Sequence, residues 1–459
     1  MVALLVLVLA CAAPATFGGA VDPGSVLIEG VPHVMQRPDF CGEACVEMAL
    51  GHLGYTVDQD AIFDASGVDP GLGRGVVTRE LRATLVEMGF DVGDTWYPMR
   101  AEADRVAQWN ALLADLHAGV PSIVCMYYDA RGSEHFRLVL GYDAGTDMVI
   151  YHEPAQPDGA HARLPRDAFL ALWPLGGDTL IRMRLARPGP LALPTPQAGP
   201  TPAELVQALL RAREVAGPGF TTVLEPPYVV IGNEPEATVV ARAEGTVRRT
   251  DALLRADYFT TELDHTWEIW MFRDAASYVR HTESVFGETP TTPYGFANGY
   301  HHALVMNIAL GGGTLVHEMV HPYLAVDFPG VPAWFNEGLA SLYEQSGELD
   351  GHLVGYPNWR LPGLQEAIRA DDVPDFKPFM ALSTTEFYAD RSGRNYAQAR
   401  YLCYYLQERG LLRPYYKALR VATDSTGYTT LRAALGEPDM AAFQREWEQF
   451  VLAIAYDGT

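Results

Sequence analysis

Cysteine is scarce in this chain of 459 residues. The five present, Cys11, Cys41, Cys45, Cys125 and Cys403, are too few for a disulfide scaffold, and their spacing is not that of a cysteine-ligated metal site. Cys403 stands alone in the second half and reads as a core residue. Positive charge is also short: 33 Lys and Arg face 57 Asp and Glu, a formal net charge of −24. A phosphate-binding surface needs clustered cations, so no nucleic acid is expected among the partners. Long apolar runs are confined to one place. Met1 to Ala20 is an apolar run ended by small residues, too short to span a bilayer, and reads as a signal peptide over residues 1–20 with an Ala13-x-Ala15 cleavage site. It lacks a leading Lys or Arg, and Cys11 behind Val8-Leu9-Ala10 leaves a lipid anchor open. The expected localisation is therefore secreted, periplasmic or outer-surface, by a bacterial export signal, with no transmembrane helix in the mature chain. No internal repeat or long low-complexity tract is present. With 48% hydrophobic and 20% charged residues, the remainder is globular with an ample core, in two or three domains.

The richest stretch is His317-Glu318-Met319-Val320-His321. Residues four apart share one face of a helix, so His317 and His321 can aim two imidazoles at one ion, here expected to be zinc (Zn2+). Glu318 then projects beside the metal, placed to take a proton from a water. Gly311-Gly312-Gly313-Thr314 gives a flexible approach and a threonine as helix N-cap. Two histidines do not hold zinc tightly, and Trp334-Phe335-Asn336-Glu337-Gly338-Leu339-Ala340, on a second predicted helix, offers a third ligand.

The first half carries a different pattern. Apolar residues recur at helical spacing from Cys41 to Leu53, and Gly54 ends the helix. Cys41 at the helix start meets the partial positive charge that lowers a thiol pKa, and Gln36 five residues earlier is an amide able to donate to an oxyanion. Strands are predicted over Pro121–Tyr128, Glu134–Tyr142 and Met148–Pro154. They put His135 at the start of one strand and Glu153 at the end of the next, a Cys-His-acid arrangement. Singly, each of the three also fits a structural role.

Both halves resemble known families. His317, Glu318, His321 and Trp334–Ala340 resemble gluzincin metallopeptidases of the peptidase MA-like group. That resemblance implies Glu337 as third zinc ligand and Glu318 as general base. It also implies a tyrosine that donates to the oxyanion, for which Tyr396 is the candidate and Tyr401 the reserve. Many gluzincins carry an acidic residue four after the ligand glutamate; here it is Ser341, which leaves Glu344 or a backbone carbonyl to orient a histidine. In that class an edge strand before the metal helix pairs with extended substrate, and Tyr294–Ala297 and Tyr300–Ile308, the latter bearing His301 and His302, are the expected strand region. Val31 to Met183, with Q-x4-C-G-x-A, H-F-x-L-V-x-G-Y and a closing E-P, resembles papain-like peptidase C39 domains. This implies Cys41 as nucleophile, His135 as base, Gln36 as oxyanion donor and Glu153 where the family usually has aspartate.

The expected fold class is α+β in two domains, a papain-like cysteine-peptidase fold (25–185) followed, after a Pro-rich linker (186–202), by a zincin-like metallopeptidase fold (203–459). The expected function is an exported zinc peptidase with a second, cysteine-type site, acting on peptide or protein. Two alternatives stay open: a C39-like domain that binds peptide without cutting it, and an inactive scaffold.

Overall fold

A computed structural model describes residues 24–129, 132–195, 200–390 and 392–456. The leader and Cys11 lie outside the described residues. The chain forms two compact units, one from the residues through Val68 and Gly75–Thr195, the other from Asp69–Arg74 and the chain after Thr195. No helix among the described residues is long and apolar enough to cross a membrane.

The first unit is built on an antiparallel sheet. Its strands are β1 (Val26–Leu27), β2 (Trp96–Pro98), β3 (Ser122–Tyr127), β4 (Glu134–Asp143), β5 (Met148–His152), β6 (Ala162–Pro165) and β7 (Thr179–Arg184), in the order β2-β7-β3-β4-β5-β6, with β1 also on β4. The central strands are apolar on both sides and buried. The β4–β5 register shifts between Val139 and Gly141. There β1 runs so close that a Cβ on Gly141 would sit 2.4 Å from the Val26 carbonyl oxygen, so only glycine fits. The Cys41–His52 helix packs on β4. The first part of the Pro-rich stretch is tied down, with Ala186 bridged to Asp91 and the Ala192 N–H donating to the Met88 carbonyl at 2.9 Å.

The second unit holds a sheet of β8 (Thr221–Glu225), β9 (Tyr228–Gly232), β10 (Trp267–Phe272), β11 (Gly295–Asn298) and β12 (Ala303–Asn307), ordered β11-β12-β10-β9-β8. The three inner strands are parallel, while β8 and β11 at the edges run antiparallel. Alternation along the inner strands feeds two cores. Tyr228, Val230, Ile269, Met271, Leu304 and Met306 face one layer, which includes the helix Gly313–Asp327. Val229, Ile231, Trp270, Phe272 and Val305 face another, with Leu209 and Tyr278. Covered on both faces, these strands read as continuous apolar runs.

Several local expectations are corrected. Thr314 does not cap its helix: Gly312 is the N-cap residue and Thr314 lies in the first turn. Tyr300, His301 and His302 form the turn between β11 and β12, with His302 at φ +46°, so the two histidines are not on a strand. Beside these, a π-helical segment, Ala243–Arg248, joins the helices Glu236–Arg242 and Arg249–Asp257. Past Glu337, Ser346–Leu349 (β13) and His352–Gly355 (β14) form a hairpin among helices.

Candidate active sites

In the first unit, Cys41 opens its helix behind Phe40, which offers no side-chain cap, and Asp39 at φ +64°. The Cys41 helix lies against β4 at Phe136, the residue after His135. Helix and strand approach this closely because position 42 is glycine. A Cβ there would lie 3.0 Å from Leu81 and 3.1 Å from Phe136 side-chain carbons. Burial pushes the Cys41 thiol up to about 12, outweighing the Phe136 and Gly42 N–H groups, and the charges of Glu43 and Asp39 add to the rise. This runs against the expectation that the helix terminus sets a low thiol pKa: desolvation outweighs the N–H groups near the sulfur.

His135 is buried on β4, and its Nε2 lies 2.5 Å from Glu153 Oε1. The Tyr128 ring meets the imidazole edge-on at 5.1 Å between centroids. Glu153 sits one residue past β5, its other oxygen 2.7 Å from Arg137 Nε. Burial raises the Glu153 carboxyl, but the His135 hydrogen bond and charge and the Arg137 charge overcome it and hold it below the ordinary range. Gln36 is anchored beside this pair, its backbone N–H donating to the Pro154 carbonyl at 2.8 Å, while its buried Oε1 has no hydrogen-bond partner among the described residues. Cys41, His135, Glu153 and Gln36 thus gather around the β4–β5 end. Among the described residues no hydrogen bond joins the Cys41 thiol to the imidazole. Arg137 was missed in the sequence, although its i, i+2 spacing from His135 puts both on one face of a strand.

In the second unit, one helix carries His317, Glu318 and His321, and the helix Ala333–Leu342 carries Glu337. Donor atoms of His317, His321 and Glu337 all lie within 4.8 Å of one another. His317 Nε2 is 3.3 Å from Glu337 Oε2, and His321 Nε2 is 4.0 Å from Glu337 Oε1. The Nδ1 atoms turn outward. That of His321 is 3.2 Å from Asn336 Oδ1, and that of His317 makes an ion-pair contact of 3.4 Å with Glu344 Oε1. Glu344 is gripped by Arg360 through two bonds of 2.7 and 2.8 Å and by Asn358 at 2.9 Å. Tyr388 donates to Glu337 Oε1 at 2.5 Å.

The electrostatics of this cluster follow the same contacts. Burial works against a charged Glu337, yet His317, His321 and Tyr388 bring it down to about 2. Burial also works against a charged His317, yet Glu337 and Glu344 raise it to about 10. Glu318 is buried and its carboxyl is raised, chiefly by desolvation.

A cleft of about 630 Å³ opens on this cluster, lined by His317, Glu318, His321, Glu337, Tyr388 and Tyr396 and by Phe296 and Ala297 of β11. Two imidazole nitrogens and a carboxylate are donors that zinc accepts, and the buried Glu337 Oε2, whose contact among the described residues is the 3.3 Å approach of His317 Nε2, fits a metal ligand. The reserve candidate Tyr401 is not in the cleft; its hydroxyl is buried against the Asn358 backbone. Tyr388 was missed, since its approach to Glu337 comes from packing of the short Thr384–Ala389 helix and leaves no local pattern. Gly338 has a clear reason: a Cβ there would lie 2.9 Å from the Ala399 carbonyl oxygen and 3.0 Å from Cys403 Sγ, where two helices meet.

Comparison with known proteins bears on the first unit. Residues 28–179 match the model of the Peptidase_C39 like family. Among solved structures, the chain is similar to the peptidase domain of Streptococcus ComA, titled a bi-functional ABC transporter involved in a quorum sensing pathway. The identity is 17%, the alignment covers 34% of this chain and 100% of that one, and the TM-score is 0.25. No curated protein matches the chain.

Proposed function

We propose that the chain is a peptidase whose first unit cuts by a cysteine mechanism. The observation that carries this reading is the buried His135–Glu153 pair beside Cys41, inside the segment matched by the Peptidase_C39 like family. His135 takes the thiol proton as the sulfur attacks a peptide carbonyl, then returns it to the leaving amine; water hydrolyses the thioester. Glu153 keeps the imidazole oriented, and the Gln36 amide donates to the oxyanion. Burial raises the thiol, so the proton must pass to His135 for the sulfur to attack. The test is a peptidyl vinyl sulfone added to the full chain with reductant. One adduct at Cys41, lost in His135→Ala, is expected; no adduct, or equal labelling of Cys45 and Cys125, contradicts the reading. The same elevated thiol is what favours the alternative of a peptide-binding module.

The second reading is zinc-dependent peptide hydrolysis in the other unit, supported by the three converging donors. His317, His321 and Glu337 would hold the zinc, which when bound activates a water and polarises a carbonyl. Glu318 would accept the proton of the attacking water and pass it to the leaving amine. Tyr396 would donate to the developing oxyanion, and β11, paired only with β12 among the described strands, would take substrate as an added strand. Export by the Met1–Ala20 segment belongs to the same proposal.

A further inference from the structure

Each oxygen of the Glu153 carboxylate has its own partner. Oε1 accepts from His135 Nε2 at 2.5 Å and from the Ala155 N–H at 3.1 Å, and Oε2 accepts from Arg137 Nε at 2.7 Å. The guanidinium is itself immobilised. Its two terminal nitrogens donate to the carbonyls of Tyr127 and Tyr128 at 3.2 and 3.1 Å, at the end of β3. The rings of Tyr128 and Tyr151 lie 5.3 Å from its central carbon. Arg137 is 4% exposed and Glu153 2%, so water cannot substitute for either partner. Three neighbouring strand ends thereby fix one carboxylate: β3 through its carbonyls, β4 through Arg137 and His135, and β5 through Glu153 just beyond it.

We propose that Arg137 is a positioning residue of the Cys41 site, its guanidinium fork tying the Glu153 carboxylate to the end of β3 so that the other oxygen holds the His135 imidazole. This rests on the cysteine-peptidase reading. A flexible glutamate has three rotatable bonds, and pairing with His135 alone leaves the second oxygen free to swing. The fork removes that freedom, and without it a buried carboxylate loses its cationic partner, takes up a proton more readily and holds the imidazole less firmly. An ammonium lacks the planar set of donors that spans Glu153 and two carbonyls, so lysine is not an equivalent here.

The test reads Cys41 without requiring turnover. Alkylation of Cys41 by iodoacetamide is followed by peptide mass spectrometry from pH 5 to 10 on the full chain, for wild type, Arg137→Lys, Arg137→Met and His135→Ala, with thermal melts alongside. The other ionisable groups near the thiol, Glu43, Asp39 and Cys45 from its own segment and Cys125 from β3, are the same in every variant. Differences between variants therefore report the His135–Glu153–Arg137 chain. Arg137→Lys is expected to melt within a few degrees of wild type but to alkylate about tenfold more slowly near neutral pH, with its profile displaced to higher pH. Arg137→Met should be slower still; if it does not fold, Arg137→Lys decides. A folded Arg137→Lys whose profile superimposes on wild type, while His135→Ala is slowed, overturns the proposal. If His135→Ala also alkylates as wild type, it is the cysteine-peptidase reading that fails.

Discussion

Removing the Glu344–Arg360 pair should weaken zinc retention by a route separable from stability. Glu344 stands 3.4 Å from His317 Nδ1 and is held by Arg360 through bonds of 2.7 and 2.8 Å, with side-chain exposures of 13% and 14%. Glu344→Gln leaves the buried guanidinium unpaired, and breaking one partner of such a pair costs about 3–5 kcal/mol. Glu344→Gln with Arg360→Met removes both charges and should recover most of that loss. Neither variant keeps a carboxylate on His317, and losing a partner behind a metal-bound histidine weakens binding by about 10–100-fold, or about 1.4–2.8 kcal/mol. The assay is zinc transfer to a chromogenic chelator, paired with denaturant unfolding of the metal-free chain. Both variants are expected to release zinc more readily, whereas only the single one should be strongly destabilised. If the double variant regains wild-type zinc affinity along with its stability, the reasoning about His317 is refuted.

Further predictions follow from the same contacts. Tyr388→Phe removes the donor on Glu337 and should lower zinc affinity, whereas Tyr396→Phe should leave zinc content unchanged and reduce turnover by about 100-fold; metal analysis beside a cleavage assay separates them. Gly338→Ala drives a methyl into the Ala399 carbonyl and should destabilise the second unit by about 1–3 kcal/mol, read as a fall in its denaturation midpoint. Asp327 is fully buried, and although burial raises its carboxyl, Thr261, Tyr416 and Arg420 hold it below the ordinary range. A depressed folded-state pKa contributes stability above the unfolded value, and that stability is lost as pH falls through the folded one. Asp327→Asn should therefore flatten the acid limb of a stability–pH curve below about pH 4.

The sequence was most informative where a motif is local. The His317–His321 spacing is a property of one helix, and the Cys41 helix and the strands carrying His135 and Glu153 are continuous apolar segments with recognisable ends. What it hid depends on tertiary approach. Nothing near Tyr388 announces that its hydroxyl reaches Glu337, and nothing near Arg360 announces that it holds the carboxylate behind His317. Glu344 had been one of two options for that role, and its Oε1 lies 3.4 Å from His317 Nδ1. The Cys41 thiol went against expectation because helix-terminus reasoning counts the dipole and cannot count burial, which exists only once Phe136 and Leu81 close over Gly42. His301 and His302 were misplaced for a simpler reason: an apolar run marks a strand but not the turn that precedes it.

The proposed function is cleavage of peptide bonds at Cys41 and at the Glu318 site. The most direct test is digestion of one peptide library by the full chain, Cys41→Ala and Glu318→Gln, with zinc and reductant present and products read by mass spectrometry. The account predicts two sets of cuts, one lost with each variant. No cleavage by the wild-type chain, or cuts that survive both substitutions together, would contradict it.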